Sequence, residues 1–151
     1  MTPDHITAVV ADASAAAIVI GKLLGCEPVA EVTAPGISVR SFRVGDIEMH
    51  LTSAAGTGTI ADHHRNHGSS YHHLALRVDD LEAELAALAN EGFACLGAPV
   101  QTAPGLREVF LDPGSTAGLL IQLVERTTAG TYSLDDAAVS RLADQLDTSR
   151  Q

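Results

Sequence analysis

Residues 72–92 read HHLALRVDDLEAELAALANEG and contain the pattern that decides the fold. Residues 72–78 are predicted to form a strand. Asp79, with Glu82 three positions later, is a helix-capping signature, and Gly92 is typical of the end of the helix that follows. That helix carries one apolar stripe, formed by Leu81, Leu85 and Leu88. The stretch therefore predicts a strand followed by an amphipathic helix.

The same pattern occurs earlier, where residues 4–25 read DHITAVVADASAAAIVIGKLLG. A strand over residues 4–10 is followed by a helix over 15–24, which Asp12 caps and Gly25 ends. His5 and Gly25 are 20 residues apart, and His73 and Gly92 are 19 apart. In each repeat two strands joined by a turn follow, over residues 37–51 and 107–124. The sequence therefore predicts an α+β fold built from two copies of one unit.

The chain has 151 residues and a mass of 15.7 kDa, which suits one ordinary core. We assign residues 1–128 to a single domain, with module one at about 4–53 and module two at about 70–126. Residues 129–151 are predicted to be a helical tail, with Ser133 and Asp136 as its capping pair.

Charge and cysteine content exclude several classes of function. Nine lysines and arginines against 19 acidic residues give a net charge of −10, so nucleic acid is not an expected partner. No apolar run approaches the roughly 18 residues of a membrane span, and the N-terminus lacks a signal-peptide pattern. We therefore expect a cytoplasmic protein with no membrane partner. Cys26 and Cys95 lack metal-site spacing and are expected to be small core residues.

Side-chain alternation on the strands selects four candidate metal ligands. In residues 47–51 the polar Glu48 and His50 share one face of the strand, and in residues 119–124 Gln122 stands opposite the apolar face. Each repeat also has a histidine at the head of its first strand. The candidate ligands are His5, Glu48, His73 and Gln122. Two imidazoles, a carboxylate and an amide oxygen suit a divalent Co, Ni, Mn, Zn or Fe ion.

The chain resembles the vicinal oxygen chelate superfamily, which includes glyoxalases and bleomycin-resistance proteins, and within it the methylmalonyl-CoA epimerases. The matching stretches are residues 4–6, 44–48, 70–81 and 110–125. The resemblance implies two βαβββ modules that form a half-open curved barrel around one metal site. It also implies metal ligands at His5, Glu48, His73 and Gln122, the four that alternation selects, and a homodimer.

Several positions differ from what the resemblance implies. The epimerases usually carry Gln at the position of Glu48 and Glu at the position of Gln122, so carboxylate and amide are exchanged between the modules. The position of a proton-transfer carboxylate is Val39 here, and a common lysine is replaced by Asn66. His50 lies beside Glu48 on the same strand face, and we expect it to serve as the base.

The remaining polar residues of the histidine-rich window have simpler interpretations. Tyr71, His63, His64 and Arg77 are weaker candidates for lining the mouth of the site. His63 and His67 have helical spacing that could hold a second metal, but a solvated linker is the favoured interpretation. His72 points away from His73 and is expected to be structural.

The predicted function is a metal-dependent epimerase or isomerase, with Glu48 and His50 as catalytic residues. It would act by enolate-type proton transfer on a chelated carbonyl substrate such as an acyl-CoA. Other chemistries of the same superfamily stay open: a glyoxalase-like lyase, a cyclase or isomerase of specialised metabolism, or a dioxygenase. A non-catalytic small-molecule-binding module is the third alternative.

Overall fold

The computed structural model describes residues 1–34 and 36–127. Within those ranges the chain forms eight strands, three α-helices and one short 3-10 helix, Pro113–Ser115. In chain order the elements are β1 (Thr2–Val9), α1 (Ala13–Leu24), β2 (Ala30–Ala34), β3 (Ile37–Val44), β4 (Ile47–Ala54), α2 (Thr59–His67), β5 (Ser70–Val78), α3 (Leu81–Asn90), β6 (Val100–Ala103), β7 (Leu106–Phe110) and β8 (Ile121–Arg126). The predicted tail helix, with Ser133 and Asp136, lies outside the described residues.

The elements fall into two compact units, and each repeats the βαβββ order. The first unit is His5–His72, and the second consists of Met1–Asp4 together with the chain from His73 onward. The strand order is β2-β3-β4-β1 in the first unit and β5-β8-β7-β6 in the second. In both, the first strand is parallel to the last, while the other neighbours are antiparallel.

The first unit packs α1 against one face of its strands. Asp12 caps α1 by accepting hydrogen bonds from the backbone N–H groups of Ser14 and Ala15, at 2.8 and 3.0 Å. Gly25 ends the helix in the left-handed conformation, with φ of 70°. Three buried residues form the core between helix and strands: Ala17, Phe42 and Leu51. These features confirm the cap and the stop expected from the sequence.

The second unit packs α3 in the same way. Its core contains Val78, Leu81, Val109, Leu111 and Leu123, with Leu85 and Leu88 packed against them. The predicted leucine stripe therefore covers the sheet. The helix is capped by Asp80 rather than by Asp79, because the extended backbone of Asp80 lets its carboxylate accept the N–H of Ala83 at 2.9 Å.

Three other local expectations are corrected. The last strand begins at Ile121 rather than at 119, because positive φ angles at Ala117 and Gly118 turn the chain after the 3-10 helix. The segment expected to be a solvated linker contains α2. Cys26 and Cys95 are exposed rather than buried, since both lie in loops.

Ion pairs to the buried Asp4 hold the N-terminal end of β1 within the second unit. The Asp4 side chain is 3% exposed. Arg77 donates two hydrogen bonds to Asp4 Oδ2, at 2.7 and 3.0 Å. Arg126 donates to Asp4 Oδ1 at 2.8 Å and to Oδ2 at 3.1 Å. One carboxylate thus joins residues from β1, β5 and β8.

We expect Asp4→Asn to lower the free energy of unfolding by about 3 kcal/mol, because it leaves the mostly buried guanidinium of Arg126 without its counter-ion. Urea denaturation followed by circular dichroism measures the effect. Asp46→Asn, in the exposed turn before β4, is the control and should change stability by less than about 0.5 kcal/mol. Equal stabilities of the two variants would contradict this role for Asp4.

Candidate metal centre

The four sequence-predicted ligands occur as two pairs, one in each unit. His5 and Glu48 belong to the first unit, and His73 and Gln122 belong to the second. In each pair the histidine comes from the first strand of the unit and the other residue from the last strand. The pairs are described separately below, because each has its own set of contacts.

The first pair is set by the parallel register of β1 and β4. His5 lies opposite Glu48, and Thr7 lies opposite His50. His5 is 2% exposed, and its ring stacks on that of His50 with a centroid separation of 4.2 Å and an interplanar angle of 20°. His50 is buried as well, so two imidazoles and a carboxylate meet on one face of the strands.

The Glu48 carboxylate is held by two side chains. Its Oε2 lies 3.2 Å from Nε2 of His50, and its Oε1 accepts a hydrogen bond from Nη2 of Arg43 at 2.8 Å. The opposite face of β4 carries Met49 and Leu51, which pack in the α1 core. Alternation therefore places Glu48 and His50 together, as the sequence predicts.

The second pair lies on the face of β5 and β8 that α3 does not cover. Gln122 is paired with Ala75 of β5 and with Phe110 of β7. His73 is two residues before Ala75, so it is on the same face. The His73 ring meets the Phe110 ring edge-on, with centroids 5.2 Å apart. Both His73 and Gln122 are buried.

The Gln122 side chain provides a direct test of whether a metal suits these residues. It is 3% exposed, and its Oε1 has no hydrogen-bond partner among residues 1–34 and 36–127. A buried carbonyl oxygen left in this state costs about 1–3 kcal/mol. A divalent cation would use that lone pair, and imidazole, carboxylate and amide donors together suit Zn, Ni, Co, Mn or Fe. The residues fit a metal.

The other candidates from the histidine-rich window have structural contacts. Arg77 is bound to Asp4 and Tyr71 is exposed. The His63 ring lies 4.8 Å from the rings of both His67 and His72, and His63 Nε2 is 3.0 Å from the hydroxyl oxygen of Ser70. These contacts pack α2 against the start of β5.

One cluster of acidic residues also brings potential metal-ligand atoms close together, but two of its members cap helix α3. Asp80, Glu82 and Glu125 have carboxylate oxygens within 4.8 Å of one another. Arg107 donates hydrogen bonds to Glu82 and Glu125, and Glu125 accepts the N–H of Leu81. The hydrogen bond from Arg107 holds the pKa of Glu82 below its usual value. Two of the three carboxylates are thus paired with Arg107.

Two buried polar residues, Thr102 on β6 and Glu108 on β7, are not among the residues predicted from the sequence. Both are 1% exposed. Glu108 alternates with Leu106 and Phe110, so the parity argument applied to the neighbouring strand would have found it. Thr102 had no comparable signal, because its position depends on an irregularity in strand pairing.

Comparison with models of known protein families identifies the family of this chain. Residues 4–110 match the family model described as the Glyoxalase/Bleomycin resistance protein/Dioxygenase superfamily. The chain belongs to this superfamily. The predicted fold class, α+β with two βαβββ modules, is confirmed. No curated protein matches the chain at a significant level.

Several solved structures are similar to this chain in fold. A hypothetical protein from Bacillus halodurans superposes with a TM-score of 0.78 at 21% identity, over 87% of this chain and 98% of that one. Methylmalonyl-CoA epimerase from Mycobacterium tuberculosis gives 0.75 at 26% identity, over 84% and 89%. The Streptomyces coelicolor epimerase in complex with 2-nitronate-propionyl-CoA gives 0.75 at 19%, over 87% and 99%.

No helix in the two described ranges is long and apolar enough to cross a membrane.

We expect Gln122→Leu to have opposite effects on stability and on metal binding. After treatment with a chelator, the variant should be more stable than the wild type by about 1–2 kcal/mol, since the unsatisfied buried amide oxygen is replaced by an apolar group. Its affinity for added Co²⁺, measured by calorimetry, should fall. Gln101→Leu is the control, because Gln101 is an exposed residue of β6. A loss of stability without any change in affinity would show that Gln122 is structural.

Proposed function

We propose that this protein is a metal-dependent epimerase or isomerase that moves a proton next to a carbonyl group. The observation that carries the proposal is that each of the two repeated units has the same kind of donor pair, in which every member but the part-buried Glu48 is buried. Each unit contributes one buried histidine from its first strand and one oxygen donor from its last. Membership of the glyoxalase superfamily and the 26% identity to an epimerase support the same conclusion.

In this proposal His5, Glu48, His73 and Gln122 together hold one divalent ion, either Co, Ni, Mn, Zn or Fe. When bound, the ion would supply positive charge that stabilises the negative charge developing on the substrate's carbonyl oxygen. The substrate is a small molecule with two neighbouring oxygens, such as a thioester beside a carboxylate. An acyl-CoA fits this description, and one solved epimerase of this fold is in complex with methylmalonyl-CoA.

His50 is the group we assign to proton transfer, and Glu48 is assigned both to metal binding and to holding His50. The stacked ring of His5 and the hydrogen bond to Glu48 fix the imidazole of His50 in one orientation. A fixed, buried imidazole removes a proton efficiently because it needs no reorganisation before the transfer. We also propose that the protein is a homodimer and acts in the cytoplasm; light scattering tests the dimer.

Metal content is the first test. Protein purified without a histidine tag should contain close to one metal per chain by elemental analysis, and His5→Ala and His73→Ala should lose it. His67→Ala, on the exposed side of α2, should keep it. If the protein takes up none of the five metals, the enzyme mechanism is wrong, and a non-catalytic binding module becomes the better description.

Proton exchange is the second test. Wild-type protein in deuterated water should introduce deuterium next to the carbonyl group of methylmalonyl-CoA, as followed by mass spectrometry. We expect His50→Ala to slow this exchange by about 10²-fold or more with its metal content unchanged, because the proton acceptor is lost while the proposed ligands stay. Undiminished exchange in this variant would remove His50 from the mechanism.

A further inference from the structure

Three buried polar side chains lie on neighbouring strands of the second unit. Thr102 is on β6, Glu108 on β7 and Gln122 on β8, and these strands are adjacent in the sheet. We refer to Thr102, Glu108 and Gln122 as the polar row. Thr102 and Glu108 are as buried as the apolar core, although threonine and glutamate are usually exposed.

The strand register puts Glu108 on the same face as the proposed ligands. Phe110 is opposite Gln122, and Glu108 is opposite Val124. Residues two apart share a face, so Glu108 and Gln122 are diagonal neighbours on one side of the sheet, with side chains about 7–8 Å apart at their origins. That distance is within the combined reach of the two side chains. Glu108 is therefore next to the proposed metal ligand of β8.

A bulge directs Thr102 into the same region. The pairing of β6 with β7 shifts between Gln101, which is opposite Arg107, and Ala103, which is opposite Leu106. Thr102 is the extra residue, and its hydroxyl oxygen is buried with no hydrogen-bond partner in the described ranges. Bulges re-aim side chains beside functional sites, and buried polar atoms without partners call for a bound molecule. Thr102 and Gln122 thus each offer an unused oxygen on the strands flanking β7.

Glu108 lies on the face of β7 that α3 does not cover. The helix α3 covers the other face of β7, where Val109 and Leu111 are packed. On the face of Glu108, β8 supplies the apolar Val124 and the polar Gln122 as buried neighbours. A glutamate is rarely buried to this extent. Such placement is typical of catalytic acids and bases.

We propose that Glu108 is a proton-transfer base of the candidate site, in addition to His50. This inference rests on the proposed epimerase function. The bond between the substrate's hydrogen and the carbon next to its carbonyl breaks, the proton moves to a carboxylate oxygen of Glu108, and the electron pair moves to the carbonyl oxygen. Inversion requires a proton to return on the opposite side of that carbon, so a second group must deliver it. Each epimer therefore loses its proton to only one of the two groups.

The test compares Glu108→Gln with Glu125→Gln. Gln matches Glu in shape but cannot serve as the base, and Glu125 is a buried glutamate of the same unit that caps α3 on the other face of the sheet. Each epimer of methylmalonyl-CoA is incubated separately in deuterated water with metal-loaded protein. Interconversion and deuterium incorporation are followed by mass spectrometry, together with metal content and melting temperature. Glu108→Met is made in parallel, because an apolar side chain suits the neighbours if Gln prevents folding.

We expect Glu108→Gln to slow interconversion by about 10²-fold or more and to abolish exchange for one epimer only, with metal content retained. Glu125→Gln should keep the wild-type exchange rates. Wild-type rates in folded Glu108→Gln or Glu108→Met would overturn the inference, as would a loss that affects both epimers equally and parallels a loss of metal. If metal-loaded wild type exchanges neither epimer, the proposed function fails, and the role of Glu108 fails with it.

Discussion

Side-chain alternation along the strands, with one helix against each sheet half, is the constraint on which the rest of the structure depends. In β4, Met49 and Leu51 pack against α1, and in β8, Leu123 packs against Leu81 of α3. Burial of these residues against the helices is the main favourable contribution to folding. The opposite faces of the strands do not have to carry apolar side chains for packing against a helix. On those faces the sequence has histidine, carboxylate and amide groups.

The two units satisfy their buried polar groups differently. In the first unit both carboxylate oxygens of Glu48 have partners, Arg43 and His50, so binding a cation there replaces one contact with another. In the second unit Gln122 Oε1 and Thr102 Oγ1 have no partner among the described residues. A ligand gains most where a polar atom is unsatisfied, since no existing hydrogen bond must be broken first. In the proposed site, the donors of the second unit would therefore contribute more to the free energy of binding a metal than the already paired donors of the first unit.

Much of the fold and of the candidate site follows from local sequence, and the errors have physical causes. The pairing of Glu48 with His50 on one face needed only the two-residue period of a strand. The start of β8 was placed two residues early because the turn at Ala117 and Gly118 is set by contacts with Pro113. Helix α2 reads TIADHHRNH and has few apolar residues, so its sequence favours a linker. In the structure its polar residues instead pack on β5 through His63. Thr102 depends on a bulge between two strands, which no single-strand pattern contains.

The internal repeat connects the unusual ligands with Glu108. Arg43 of β3 pairs with Glu48, and Phe110 of β7 pairs with Gln122, so β3 and β7 are equivalent strands of the two modules. The resemblance to the epimerases implies a carboxylate on β3, where this chain has the buried Val39, and a glutamate ligand on β8. Here the proposed glutamate ligand is on β4 and the additional carboxylate is on β7. Both acidic positions have thus changed module together. In the proposed site, one module thus carries the neutral oxygen donor and the additional carboxylate, while the other carries the charged donor, so the total number of carboxylates is the same as the resemblance implies.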